Sequence, residues 1–219
     1  MSYAITEVFK TLQGEGLHAG RSAIFVRFAS CNLWNNHDAD RERDAERNEA
    51  KCPRFCDTAF AVRHLLDHDA LIAEVDKLLP AALVVFTGGE PLLQLDAPLL
   101  ASCAGLGLLT AVETNGTVHA KAGVLEALGH VCVSPKRSDA ATVIRSGTEL
   151  KVVVPVYNPE DYSALAEGFT HLFVSPEATT LRVGLSKTNS TVEQQAAQWC
   201  IEHPRWRLSL QTHKHLRLP

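Results

Sequence analysis

What most restricts the fold of this chain is a repeated alternation between short apolar runs and stretches with helical spacing. The runs Ala23–Ala29, Ala82–Phe86, Leu108–Val112, His130–Val133, Leu150–Val154, His171–Val174 and Arg207–Leu210 are β-branched or apolar and of strand length. Between several of them, Asp69–Leu79, Pro91–Leu106, Lys121–Leu128, Pro159–Ala166 and Thr191–Glu202 carry the apolar spacing of amphipathic helices. Strands that alternate with helical crossovers run parallel. With 219 residues, 46% of them hydrophobic, the chain can bury one α/β core of moderate size. The expected architecture is a single domain over residues 1–219, built on an incomplete parallel β/α barrel of about six core strands.

The ends of these runs concentrate residues capable of chemistry. Ala23–Ala29 leads into Ser30-Cys31, Ala82–Phe86 into Thr87-Gly88-Gly89-Glu90, and Leu108–Val112 into Glu113-Thr114-Asn115-Gly116. His130–Val133 leads into Ser134-Pro135-Lys136, His171–Val174 into Ser175-Pro176-Glu177, and Arg207–Leu210 into Gln211-Thr212-His213-Lys214. Parallel sheets bind ligands at the carboxyl ends of their strands, so all six motifs are expected on one face. For any one motif the alternative is an ordinary turn, since Gly, Pro, Ser and Asn follow strands in every α/β protein.

The net charge of −4 leaves no basic footprint for nucleic acid and favours a small or acidic ligand. The opening residues MSYAITEVFKTLQ lack a signal peptide's basic start and apolar run, and no stretch approaches membrane-spanning length, so a cytoplasmic location is expected. In that compartment the six cysteines point to metal or thiol chemistry rather than disulfides. Cys31 ends a strand, while Cys52 and Cys56 bracket Pro53-Arg54-Phe55. Three thiolates can hold three irons of a [4Fe–4S] cluster and leave the fourth open to a bidentate ligand. A zinc site of three cysteines completed by His37 is the alternative. Cys103, Cys132 and Cys200 read as small core residues. Residues 32–51 hold ten charged side chains and form a solvated loop or short surface helix to which no ligand is assigned. The stretch between Thr179 and Ser190 offers no readable motif.

Thr87-Gly88-Gly89-Glu90-Pro91 adds two glycines at a strand end, where backbone can approach a ligand closely, and a proline suited to the first turn of the next helix. Following a three-cysteine set, the segment resembles the radical S-adenosylmethionine (SAM) superfamily. That resemblance implies a [4Fe–4S] cluster chelated by the amino and carboxylate groups of SAM, with the glycine backbone binding the amino group and Phe55 beside the adenine.

A closer resemblance, covering nearly the whole chain, is to the 7-carboxy-7-deazaguanine synthase family, in the pathway to queuosine, a tRNA modification, and related deazapurines. It is carried by Thr11–Gly16, Phe25–Phe28, Cys31–Trp34, Phe55–Thr58, Glu113–Gly116, Val133–Lys136, Glu149–Val153 and Gln211–Lys214, in the same order. The resemblance implies a lyase that contracts 6-carboxy-5,6,7,8-tetrahydropterin to 7-carboxy-7-deazaguanine with release of ammonia, assisted by Mg²⁺. It implies a pterin pocket from Leu12, Gln13 and Gly14, with Arg27 on the substrate carboxylate and Glu15, Thr87 and His213 as further contacts. The carboxylate of Pro219 is also placed against substrate, the alternative being a frayed terminus. Thr58 is implied as the magnesium ligand and Cys31, Cys52 and Cys56 as the cluster ligands. Phe55, Cys56, Asp57, Gly89, Ser134, Pro135 and Lys136 fall to SAM, with Ser175, Pro176 and Glu177. A flavodoxin or ferredoxin as electron donor and a homodimer are further implications, with no direct nucleic-acid or membrane partner.

The chain departs from the pattern in three places. Three residues separate Cys52 from Cys56 where the family has two, and twenty separate Cys31 from Cys52 where the superfamily has three. Ser175-Pro176-Glu177 stands where relatives begin Gln-Pro. Two rival functions follow: a radical SAM activating enzyme acting on a protein, as for glycyl-radical enzymes, against which Arg27, Thr58 and Gln211–Lys214 argue, and a non-catalytic zinc-binding module.

Overall fold

The computed structural model describes residues 2–177 and 191–219. Its strands are β1 (Ser2–Leu12), β2 (Ser22–Phe28), β3 (His64–Asp67), β4 (Leu83–Gly88), β5 (Leu109–Thr114), β6 (His130–Val133), β7 (Gly147–Val154), β8 (Phe169–Pro176) and β9 (Trp206–Leu208). Its helices are α1 (Arg41–Arg47), α2 (His68–Asp76), α3 (Ala97–Gly105), α4 (Val124–Ala127), α5 (Ser163–Ala166), α6 (Val192–Glu202) and α7 (Thr212–His215). Among the described residues the strands form one sheet in the order β3-β1-β2-β4-β5-β6-β7-β8-β9. From β2 to β9 every pairing is parallel, whereas β1 lies antiparallel on both β2 and β3. The sheet is therefore an open, mostly parallel arc of seven strands with an antiparallel pair at one edge.

The arc of seven parallel strands is the parallel sheet expected from about six core strands, and the antiparallel pair is an addition. β1 escapes the strand reading because Glu7 and Lys10 break up its apolar residues, and the partly covered edge it occupies tolerates that polarity. The long helix expected over Pro91–Leu106 is divided into a 3₁₀ turn at Pro91–Leu93 and α3. Asp96 caps α3 by accepting from the Leu99 amide at 3.1 Å, and a capping residue inside a periodic pattern starts a new helix. Pro159–Ala166 divides in the same way into a 3₁₀ turn and α5. The charged insertion carries a short surface helix, α1, after a 3₁₀ turn at Asp38–Asp40.

Strand residues two apart share a face, and the two faces differ sharply. One carries Ile24, Val26, Phe28, Val84, Phe86, Val112, Val133, Leu150 and Val152 into the main core against the helices. Burying a side chain of this size contributes about 2 kcal/mol. The other face, inside the arc, is lined low down by Ala23, Leu83, Val85 and Ala111 and carries polar side chains at its upper end. Apolar side chains line the lower part of this face, and the larger cavities lie at the carboxyl ends of the strands.

Candidate active site

Two adjoining cavities occupy that end. The first, of about 220 Å³, is lined by Cys31, by Thr87 with Gly88 and Gly89, by Glu113 with Thr114 and Asn115, by Ser134 and Lys136, by Ser175 to Glu177, and by Gln211. All six strand-end motifs thus contribute to one wall, as expected from a parallel sheet. The second, of about 340 Å³, is lined by β1, β2 and the chain end, and shares Glu15, Asp57, Thr58, Thr87, Glu113 and Gln211 with the first.

Cys31, Cys52 and Cys56 all line the first cavity, beside Phe55 and Asp57. Burial pushes the Cys31 thiol up to about 11 although the Leu33 and Trp34 amides point at its sulfur, and pushes Cys52 up to about 12 against the pull of Lys136. Burial raises Cys56 as well, opposed by hydrogen bonds from Thr58. The longer Cys52–Cys56 spacing is absorbed by a 3₁₀ turn, in which the Phe55 and Cys56 amides donate to the Cys52 carbonyl at 3.1 and 2.8 Å. Gly88 and Gly89 lie so close to the Cys31 strand end that an added Cβ would come within 2.1 Å of the Phe28 carbonyl oxygen and 2.0 Å of that of Ser30. Gly88 also has φ +122°, a conformation open chiefly to glycine. The soft, all-thiol donor set and the glycine strand end pressed against it fit an iron–sulfur cluster with an amino-acid ligand. His37 does not line this cavity, which removes the fourth ligand from the zinc alternative. Among the described residues no three His, Cys, Asp or Glu side chains gather around the position of a single ion.

Of the other residues implied for SAM, Gly89, Ser134, Lys136, Ser175, Pro176 and Glu177 line the first cavity and Pro135 does not. Lys136 donates to the Ser134 hydroxyl at 2.7 Å, and burial lowers its pKa. The stretch beyond Glu177 up to Ser190 lies outside the described residues.

Leu12, Gln13, Glu15, Arg27, Thr58, Thr87, His213 and Pro219 line the second cavity. A β-bulge in β1 between Ile5 and Glu7 sets this up. It turns the strand so that Ile5, paired with Phe28, belongs to the core while Glu7 lies opposite Arg27 and reaches the cavity. Arg27 Nε is paired with Glu7 at 2.7 Å. Gly14 sits behind the lining, where its carbonyl accepts from the Thr212 amide at 3.0 Å and hydroxyl at 2.9 Å. The Gly16 amide donates to Ser209 Oγ at 2.8 Å. Loop 13–16 and the chain after β9 are thereby joined across the open side of the arc.

Sequence reasoning gave no individual role to Lys151 or Glu113, which meet Glu15 between the cavities. Lys151, on β7, is 2.6 Å from Glu15 and 3.9 Å from Glu113. Gln13 Nε2 donates to Glu113 at 2.9 Å and Gln211 Nε2 to Glu15 at 2.8 Å. Burial alone would raise the Glu15 carboxyl, but the Lys151 ammonium and the Gln211 amide hold it below the ordinary range. Burial lowers His213, leaving its imidazole neutral near pH 7. Lower in the arc, Glu149 accepts from the Leu17 amide at 2.9 Å and lies 3.6 Å from His130 Nε2. The Cys132 thiol donates to Glu149 at 3.4 Å, so it is a polar partner rather than an inert core residue. Cys103 is fully buried and Cys200 only partly. Period-two alternation from Glu149 to Lys151 to Val153 was the available signal that these side chains share the inner face. Glu90 of the glycine segment has a structural task. Its carboxylate accepts from the Leu92 amide, Thr114 Oγ1 and the Asn115 amide at 3.0, 2.7 and 2.9 Å, tying the ends of β4 and β5 together.

No family model matches the chain. Over 231 aligned residues the chain is 45% identical to the 7-carboxy-7-deazaguanine synthase of Burkholderia multivorans and 42% identical to that of Bordetella pertussis, all of each chain being covered. It is 42% identical over 235 residues to that of Nitratidesulfovibrio vulgaris, again over the full length of both. The chain belongs to the 7-carboxy-7-deazaguanine synthase family. Within this family the crystal structure of QueE from Escherichia coli superposes with a TM-score of 0.66 over 96% of this chain and 94% of that one, at 23% identity, a likeness of fold. The open, mostly parallel arc is accordingly the fold of that structure. No helix of the described residues is long and apolar enough to cross a membrane.

Proposed function

We propose that this chain is a 7-carboxy-7-deazaguanine synthase that contracts 6-carboxy-5,6,7,8-tetrahydropterin with release of ammonia, working as a single domain. The observation that carries the reading is the meeting of a three-thiol cavity with a cavity containing Arg27, Glu15 and His213, the two sharing Thr58, Thr87 and Glu113. When bound, the [4Fe–4S] cluster and SAM supply the radical that takes a hydrogen atom from substrate.

The rest is the work of the chain's own residues. Cys31, Cys52 and Cys56 hold the cluster, while Phe55, Asp57, Gly89, Ser134, Lys136 and Ser175 to Glu177 accommodate SAM, with Pro135 shaping the turn between Ser134 and Lys136. Arg27 keeps its terminal guanidinium nitrogens for the pterin carboxylate, because Glu7 occupies Nε. Leu12, Gln13 and Gly14 fix the ring system, and Glu15, Thr87 and His213 reach its polar edge. The Pro219 carboxylate closes the far side. Thr58, on both cavities, offers a hard oxygen suited to Mg²⁺, whose other ligands come from substrate and water. Lys151 keeps Glu15 ionised and, 3.9 Å from Glu113, holds both carboxylates in place, so the substrate is held in one pose as hydrogen leaves. A flavodoxin- or ferredoxin-type donor supplies the electron, and the working form is a cytoplasmic homodimer.

The test is anaerobic. Protein loaded with iron and sulfide, then reduced, is incubated with SAM, Mg²⁺ and the carboxylated tetrahydropterin, and the deazapurine is sought by mass. Four irons per chain, SAM cleavage and product are expected. Cluster-loaded protein that cleaves SAM yet gives no product would overturn the assignment.

A further inference from the structure

The insertion at 32–51 folds over the cysteine turn, and one of its side chains reaches both halves of the cysteine set. Arg41, at the start of α1, donates from Nη1 to the Pro53 carbonyl at 2.5 Å and from Nη2 to the Cys56 carbonyl at 3.2 Å. Its Nε is paired with Asp38 at 2.7 Å, and its guanidinium lies 4.0 Å from the ring centroid of Trp34. Trp34 is 5% exposed and lines the first cavity, and its amide together with that of Leu33 points at the Cys31 sulfur. The next residue, Glu42, takes Arg54 in a two-pronged pair, with Nε at 2.9 Å and Nη2 at 2.7 Å. Further along, Asn48 Nδ2 donates to the Leu33 carbonyl at 2.8 Å. Leu33, Ala50 and Cys52 form a small buried cluster of their own beneath these ties.

We propose that the insertion is a clamp that compensates for the lengthened Cys52–Cys56 turn, with Arg41 as its positioning residue. An added residue gives the turn extra freedom, and its amides bond inward to the Cys52 carbonyl. The Pro53 and Cys56 carbonyls receive their side-chain donors from Arg41 instead. A planar guanidinium can serve two carbonyls while stacking on an indole, and a lysine ammonium cannot. Arg41 thereby fixes the Cys52–Cys56 turn against Trp34, and through it against Cys31. The consequence for a cluster rests on the function proposed above, whereas the clamp belongs to the metal-free chain.

The experiment uses the full chain. Cysteine alkylation of the metal-free protein, resolved by peptide mass, reads how often each thiol becomes accessible. Arg41→Ala is expected to label Cys52 and Cys56 about tenfold faster, with Cys103 unchanged. Arg41→Met, which keeps an apolar stem on Trp34 but removes the donors, should behave likewise. Arg41→Lys should recover part of the protection, and Arg47→Ala, exposed on the same helix, should match the wild type. After reconstitution, iron should be lost to a chelator faster from Arg41→Ala and Arg41→Met. Unchanged labelling in both variants overturns the clamp, as does a rise that extends to Cys103, which would make Arg41 a residue of the fold at large. A wild type that takes up no iron would sink the cluster reading while the labelling still judges the clamp.

Discussion

Arg27 enters the second cavity with Nε already paired to Glu7 and its guanidinium 5.7 Å from the centroid of the Phe9 ring, so its direction is set before any substrate arrives. Replacing it with alanine removes a charge-assisted fork. The KM for the pterin is expected to rise roughly tenfold to a hundredfold, while SAM cleavage in the absence of pterin stays near the wild-type rate. Equal losses in both activities would remove Arg27 from the substrate site. At Gly14 the constraint is space. An added Cβ would lie 1.9 Å from His213 Nδ1 and 2.9 Å from the His213 backbone nitrogen. The imidazole can turn away but the backbone must shift, so Gly14→Ala should cost about 1–3 kcal/mol in urea unfolding and lower kcat/KM by displacing His213. Retention of both would show that the chain end docks elsewhere.

Among the elements, the tail after β9 folds back against the second cavity. α7 is held at Gly14, and the Leu218 amide donates back to the His213 carbonyl at 2.9 Å, turning Pro219 toward the second cavity. A short peptide appended after Pro219 should therefore impair turnover, and the same peptide before Met1 should not. Identical steady-state kinetics for the two tagged proteins would exclude a role for the terminal carboxylate. β1 teaches a related lesson. Its bulge alone allows one strand to supply Ile5 to the core and Glu7 to the site, and a bulge leaves little trace in the alternation of apolar residues.

For the whole molecule, the inner face of the arc stores ionisation energy. Burial would raise Glu149, yet the nearby His130 ring, the charge of Lys151 and the Leu17 amide hold it at about 2, below the 4.5 of a free glutamate. A depressed carboxylate pKa stabilises the fold above about pH 4.5 and ceases to do so as pH falls toward 2. The contribution near pH 7 is on the order of 3 kcal/mol. Glu149→Gln should accordingly be less stable than the wild type near neutral pH, with the difference shrinking from pH 4.5 downward in denaturant titrations. A gap independent of pH would assign Glu149 no electrostatic role.

How much of this was legible depended on the range of the interaction concerned. The parallel strands, their crossovers and the polar motifs at their ends follow from local periodicity, and the family follows from the order of those motifs. Cys31, Arg27 and Gly89 were readable because each sits in or beside a short pattern with a chemical meaning. Lys151, Glu113 and Glu7 were not, because their roles come from partners more than ten positions away, brought close only by strand order and a bulge. The charged insertion read as a solvated loop for the same reason, since Arg41 meets Trp34, Pro53 and Cys56 only after the chain has folded back on itself. The sequence by itself determined which faces of the strands are apolar and which residues stand at their ends. Tertiary structure alone decided which charges meet across the arc, because pairing at hydrogen-bond distance depends on register and closure that local patterns do not encode.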